Sequence, residues 1–276
     1  LTPNLQHLAL GQKGLKMISH GEIQGNNLNK LKVLTLCFHV ESDVFPYGFL
    51  QLVPNIEKLV VRVGSFKKIF CLQSPNVDDT TLLSQLKVLR LESLPELVSI
   101  GSENSWIESF LRNLKTLKVI SCFSSLNLVP CTMSFSNLTE LKVERCNSLL
   151  CLFTSSTAKS LAQLQKMMIK FCKSIKEIVS KEGDESHEDE IVFPQLNCLE
   201  LEDLPYLRSF YEGSLSFPSL EQLSVIECDG METLCPGTLK VDKLQGIKLK
   251  RSYFYDATIP LEIDLKSTIR KAFLAK

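Results

Sequence analysis

Ten stretches of the chain repeat one order of apolar and polar positions, apolar-x-x-L-x-x-L-x-L-x-x-C/L. Setting the second apolar position of each as position 0 places it at Leu5, Leu31, Ile56, Leu86, Leu114, Leu138, Leu164, Leu196, Leu220 and Leu244. Position +3 is then Leu8, Leu34, Leu59, Leu89, Leu117, Leu141, Met167, Leu199, Leu223 and Ile247. Position +5 is Leu10, Leu36, Val61, Leu91, Val119, Val143, Ile169, Leu201, Val225 and Leu249. All thirty residues are apolar, where the 44% apolar composition predicts about thirteen. Positions +3 and +5 are two apart, so both side chains leave one face of an extended segment. The spacing therefore predicts a short strand in each stretch, with +3 and +5 inward and +2, +4 and +6 outward.

The flanks extend the pattern. Position −3 is apolar in nine stretches, from Leu28 and Val53 to Phe193, Phe217 and Val241. Pro stands at −2 four times (Pro3, Pro54, Pro194, Pro218), where it fixes an extended entry before strand pairing begins. Position +8 is Cys at 122, 146, 172 and 228 and Leu at 94 and 204. A site that accepts either Cys or Leu is read as packed interior, since a metal ligand does not alternate with Leu. Positions +11 and +14 add Leu97/Ile100, Leu149/Leu152, Ile175/Ile178, Leu207/Phe210 and Met231/Leu234.

Successive zero positions lie 26, 25, 30, 28, 24, 26, 32, 24 and 24 residues apart. That period, with 47 leucines in 276 residues, is the signature of leucine-rich repeats. One such unit cannot cover its own apolar face, so neighbours stack into a linear core. The expected fold is an α/β-type leucine-rich-repeat solenoid, a horseshoe. About ten short parallel strands line its concave face; irregular loops and short helical turns form the convex one. Residues 1–260 are assigned to the solenoid and 261–276 to a C-terminal helix or tail, where Leu265, Ile269, Ala272 and Phe273 recur at helical spacing. The 30- and 32-residue intervals hold insertions, the second with the acidic run 181–190, read as a solvated loop.

Composition narrows the function. Lys+Arg and Asp+Glu balance at 31 each, which argues against a dedicated nucleic-acid binder. No apolar run approaches a membrane span, and LTPNLQHLAL has neither the basic nor the apolar segment of a signal peptide. The ten Cys form no C-x-x-C pair and are read as reduced thiols. The four His are scattered, no nucleophile elbow or H-E-x-x-H helix occurs, and no enzyme site assembles.

Several repeats read LKVLRLESLPEL, LTELKVERCNSL, LQKMMIKFCKSI, LNCLELEDLPYL and LEQLSVIECDGM. Their alternation of "ESLPEL" and "ERCNSL" resembles the leucine-rich-repeat region of plant intracellular nucleotide-binding immune receptors of the coiled-coil class. Glu41–Phe49 (ESDVFPYGF), the acidic insert running into Ile191–Leu196 (IVFPQL) and Asp264–Ile269 (DLKSTI) add to the likeness. Asn at +8 and the L-x-G-x-I-P continuation of extracellular plant receptors are missing. The resemblance implies a cytoplasmic, non-catalytic protein-recognition scaffold that senses a pathogen effector or a guarded host protein. It also implies autoinhibition, through contact with the receptor's own nucleotide-binding module. The chain has no G-x-x-x-x-G-K-[ST] loop, so no cofactor is expected, and it is read as a carboxy-terminal portion of such a receptor. The alternative is a free-standing leucine-rich-repeat adaptor, such as the substrate receptor of a ubiquitin ligase.

Binding is expected on the outward strand positions. Arg90, Lys118, Lys142, Lys166 and Lys170 form a basic column there, with Glu92, Glu140 and Glu144 beside them and Met168 interrupting it; Glu200 and Glu202 invert the sign, and Lys248 and Lys250 restore it. No nucleic acid and no membrane span enters this reading.

Overall fold

The computed structural model describes residues 4–19, 28–38, 45, 47–70, 83–101, 111–122, 134–182, 189–231, 233–244, 246–251 and 255–260. The tail 261–276 and most of both insertions lie outside the described residues. An eleven-stranded sheet dominates: β1 (His7–Gly11), β2 (Val33–Cys37), β3 (Lys58–Arg62), β4 (Val88–Glu92), β5 (Thr116–Ile120), β6 (Glu140–Glu144), β7 (Lys166–Lys170), β8 (Cys198–Glu202), β9 (Gln222–Ile226), β10 (Gly246–Arg251) and β11 (Tyr255–Pro260). The first ten run parallel in chain order, and each of the first nine begins at +2 and ends at +6 of its repeat. Pairing keeps like positions opposite one another, as in Leu89↔Leu117 and Leu117↔Leu141.

The burial pattern of β4 to β7 is a strict alternation in which +3 and +5 are fully buried and +2, +4 and +6 are half-exposed. The predicted +8 residues Leu94, Cys122, Cys146, Cys172, Leu204 and Cys228 join the same core. So do Phe193, Phe210 and Phe217, whose rings pack in mutual contact at centroid distances of 5.4–5.7 Å.

Two features go beyond the sequence pattern. Position +7 takes a left-handed backbone in seven successive repeats, at Val63, Ser93, Ser121, Arg145, Phe171, Asp203 and Glu227, with φ between 52° and 59°. None is glycine, so the conformation carries a steric cost. In six of them, Val63 through Asp203, it is offset by a bond from the +7 N–H to the +6 carbonyl of the next repeat, such as Ser121 to Glu144 at 2.8 Å and Phe171 to Glu202 at 2.8 Å. The same bend turns +8 inward. There the Cys172 thiol donates to the Lys170 carbonyl at 3.3 Å and Cys228 to Ile226 at 3.4 Å.

Second, the return side carries short parallel ladders besides its loops and helical turns. Lys68–Phe70 pairs with Ser99–Gly101, Phe153–Thr154 with Val179–Ser180, and Glu190–Val192 with Ser214–Phe217, which pairs with Leu239–Val241. Helical turns include α1 (Gln12–Ser19), α2 (Tyr47–Leu50) and α3 (Ser155–Lys159).

The sheet's two ends differ. At the C-terminal end β11 pairs antiparallel to β10, Ile247 opposite Ile259, a strand that the repeat pattern does not announce. At the N-terminal end Leu5, Leu8 and Leu10 are only partly buried.

The thiols give a direct check on this core. A hydrogen bond to Cys146, and then burial, push the Cys122 and Cys172 thiols above the usual range; burial pushes Cys228 up to about 12. Iodoacetamide at pH 8, read by peptide mass spectrometry, is expected to modify the exposed Cys37 quickly. Cys122, Cys172 and Cys228 react only on unfolding; their rapid modification in the native protein would place position +8 outside the core.

Candidate protein-recognition face

Positions +2, +4 and +6 of the parallel strands form one continuous outer face. Stacking at ~4.8 Å lines equivalent side chains into columns. Position +4 reads Val60, Arg90, Lys118, Lys142, Met168, Glu200, Ser224 and Lys248 across β3 to β10. Position +6 over the same strands reads Arg62, Glu92, Ile120, Glu144, Lys170, Glu202, Ile226 and Lys250. All ten residues expected at the site therefore lie in outward register, with the side chain of Lys250 outside the described residues.

The structure couples most of these cations to carboxylates. Lys118 pairs with Glu140 at 2.8 Å and Lys142 with Glu144 at 2.7 Å. Lys170 bridges Glu200 at 2.8 Å and Glu202 at 2.9 Å, while Lys166 approaches Glu200 at 3.8 Å. Arg90 pairs with Glu92. Burial opposes ionisation of Glu144, but the bond from Lys142 and the charges of Lys142, Arg145 and Lys170 outweigh it and lower its pKa. Glu200 is lowered in the same way, its burial outweighed by Lys170 and Lys166. Lys170 is raised, since Glu200 and Glu202 more than offset its desolvation. The basic column is thus a cross-linked mosaic. Partly exposed pairs such as Lys166 with Glu200 contribute at most about 1 kcal/mol each, while Glu92 and Glu144 are only 14% and 12% exposed and their cations compensate a partly buried charge.

Sequence reasoning missed three residues of this face. Arg62 shares the Glu92 carboxylate with Arg90, contacting it through Nε at 2.5 Å. Val60, in outward register, is only 4% exposed. Cys198, also outward, is nearly buried, with its thiol 3.6 Å from Glu200 Oε1. Alternation marks the facing of Val60 and Cys198 but not their burial. At the C-terminal part of the face a depression of about 690 Å³ lies over Cys198, Ser224, Ile226 and Gly246, with Lys170, Glu200, Glu202 and Lys248 around it.

Among the described residues no group of three or more His, Cys, Asp and Glu side chains has an arrangement that could hold a metal ion. No helix among them is long and apolar enough to cross a membrane.

A solenoid of stacked leucine-rich strands with a polar, ion-paired outer face defines the class. Known proteins narrow it further: residues 4–134 and 129–252 match the family described as plant disease resistance protein RPS2-like, leucine-rich repeats. The chain belongs to that family and is the leucine-rich-repeat region of a plant nucleotide-binding, leucine-rich-repeat disease resistance protein. It is 29% identical over 243 residues to disease resistance protein RPS5 of Arabidopsis thaliana, covering 84% of this chain and 25% of that protein. Similarity to the probable disease resistance protein At4g14610 of the same plant is 30% over 214 residues, 75% of this chain and 25% of the relative. For disease resistance protein UNI, also of Arabidopsis thaliana, it is 25% over 263 residues, 89% and 29%. The chain spans about a quarter of the length of these relatives.

Proposed function

We propose that this chain is a non-catalytic, cofactor-free recognition scaffold of a cytoplasmic plant immune receptor. Its concave face meets a pathogen effector, or a host protein that the receptor guards. In the resting receptor the same face holds the nucleotide-binding module inactive. The observation that carries this reading is the outward charged mosaic centred on Arg90, Lys118, Lys142, Lys166, Lys170, Glu200 and Glu202. It is a broad polar surface of partly exposed charges whose columns repeat at a fixed spacing. Met168, Lys248 and Lys250 complete it. The disease resistance proteins among the relatives support a receptor over a free-standing ubiquitin-ligase adaptor.

Charge reversal tests it. Lys118→Glu with Lys142→Glu, introduced into the full-length receptor, is expected to weaken co-precipitation of the nucleotide-binding module or to trigger cell death without pathogen in transient leaf expression. Unchanged association together with unchanged resting and effector-triggered cell death would remove this part of the face from recognition.

A further inference from the structure

Glu92 carries two guanidinium groups. Arg62 on β3 reaches it through Nε at 2.5 Å, and Arg90 on the same strand as Glu92 contacts the other oxygen through Nε and Nη2. Exposure is graded: the Glu92 side chain is 14% exposed, Arg90 35% and Arg62 47%. The carboxylate lies beneath and the two cations lie toward solvent. Val60 stands directly opposite Arg90 in the strand register and two residues before Arg62, and it is 4% exposed although it faces outward. The arginine heads are thus held by a shared anion, beside an outward-facing apolar residue that is almost fully covered.

Two guanidiniums present ten N–H donors, and one carboxylate offers about four lone-pair positions. Among the described residues, most of these donors have no protein acceptor and one positive charge is uncompensated. Both heads are already oriented, so a ligand that uses them orders little new structure. We propose that Arg62 and Arg90, seated on Glu92 and Val60, form a preorganised receptor for a single carboxylate side chain of a protein partner. An incoming Asp or Glu brings the local count to two cations and two carboxylates. A phosphate dianion overshoots that balance, which is why a carboxylate is the favoured occupant. The proposal rests on the reading of this face as a recognition surface and assigns one anchoring contact within it.

The test uses the whole chain and four fluorescein-labelled probes: a twelve-residue peptide alternating Glu and Ala, its Gln counterpart, its phosphoserine counterpart and a short duplex DNA. Fluorescence polarisation is read at low salt. The Glu peptide is expected to bind more tightly than the Gln peptide. Arg62→Gln with Arg90→Gln should weaken it by about tenfold or more, the scale of losing a charged bidentate contact. Arg62→Lys with Arg90→Lys keeps the charge but loses the fork, and should still weaken binding severalfold. Lys176→Gln with Lys243→Gln, the same loss of two positive charges on exposed residues outside the sheet, should leave the affinity unchanged. Circular dichroism confirms that each variant is folded; the mutated side chains lie on the solvent side of the sheet and leave the core intact.

Four results would overturn the proposal. They are equal affinity for the Glu and Gln peptides, equal loss in the variant at Lys176 and Lys243, full affinity in the Arg62→Lys, Arg90→Lys variant, and tighter binding of phosphopeptide or DNA than of the Glu peptide. None of these readouts involves the receptor's other modules, so the clamp and the autoinhibition reading fail independently.

Discussion

Leu141→Ala is expected to destabilise the protein by about 2.7–5 kcal/mol in urea unfolding, the range for truncating a fully buried leucine. Leu141 lies at +3 of the sixth repeat, fully buried, with Leu117 and Met167 opposite it on the neighbouring strands. The lost methyl groups would leave a cavity that stacked repeats on both sides cannot collapse to fill, because each neighbour is fixed by its own backbone ladder. Lys142→Ala, one residue on, should change stability far less than Leu141→Ala, since it leaves no core cavity and Glu144, 12% exposed, keeps Arg145 as a partner. The contrast matters more than either value. A strand slipped by one residue would exchange the two faces, and the two substitutions would exchange their effects.

Phe193→Ala should cost at least as much, about 3–5 kcal/mol. Phe193 stacks on Phe217 at 5.4 Å with an interplanar angle of 15° and meets the edge of Phe210 at 5.7 Å and 86°. All three rings are fully buried. Aromatic pairs contribute about 0.5–1.5 kcal/mol each beyond the area they bury, and two are lost together. In a solenoid each repeat contacts only its neighbours, so the damage should be local. If urea unfolding resolves into stages, the stage that includes repeats 8 and 9 should move to lower denaturant, and hydrogen exchange should rise first in β8 and β9.

How much of this was legible in the sequence varies with how local the cause is. The strand register was fully legible. Leu117 and Val119 are inward and Lys118 outward because the side-chain period of a strand is two, and nothing outside the repeat alters that. The cysteines at 122, 146, 172 and 228 were legible as core because leucine substitutes for them at 94 and 204. The left-handed bend at +7 was not. Val63, Ser93, Arg145 and Phe171 share no side-chain chemistry, and apart from Asp203 none favours that conformation. The bend is imposed by the ladder continuing into the next repeat and by the need to turn +8 inward.

The return-side ladders were hidden for a related reason, since segments of two to four residues carry too little alternation to register. Strand β11 was hidden because it pairs antiparallel and belongs to no repeat. On the candidate site, sequence placed the charges on the correct face but could not pair them. Lys118 joins Glu140 of the next strand, whereas Lys142 joins Glu144 of its own. That choice is made by rotamers and neighbours. The clamp at Glu92 was hidden for the same reason: the register sets Arg62 and Glu92 side by side at +6 of adjacent repeats, but does not show that Arg90 turns onto the same carboxylate.

The most direct test of the architecture is a maleimide labelling scan along β6, with single cysteines introduced at Leu141, Lys142 and Val143 and each native-state rate compared with that of the unfolded chain. The Lys142→Cys thiol should react at nearly the unfolded rate. Leu141→Cys and Val143→Cys should be protected by several orders of magnitude. Equal rates at the three positions, or protection at 142 with reaction at 141 and 143, would contradict a stacked solenoid that hides its leucines and offers its charges to a partner.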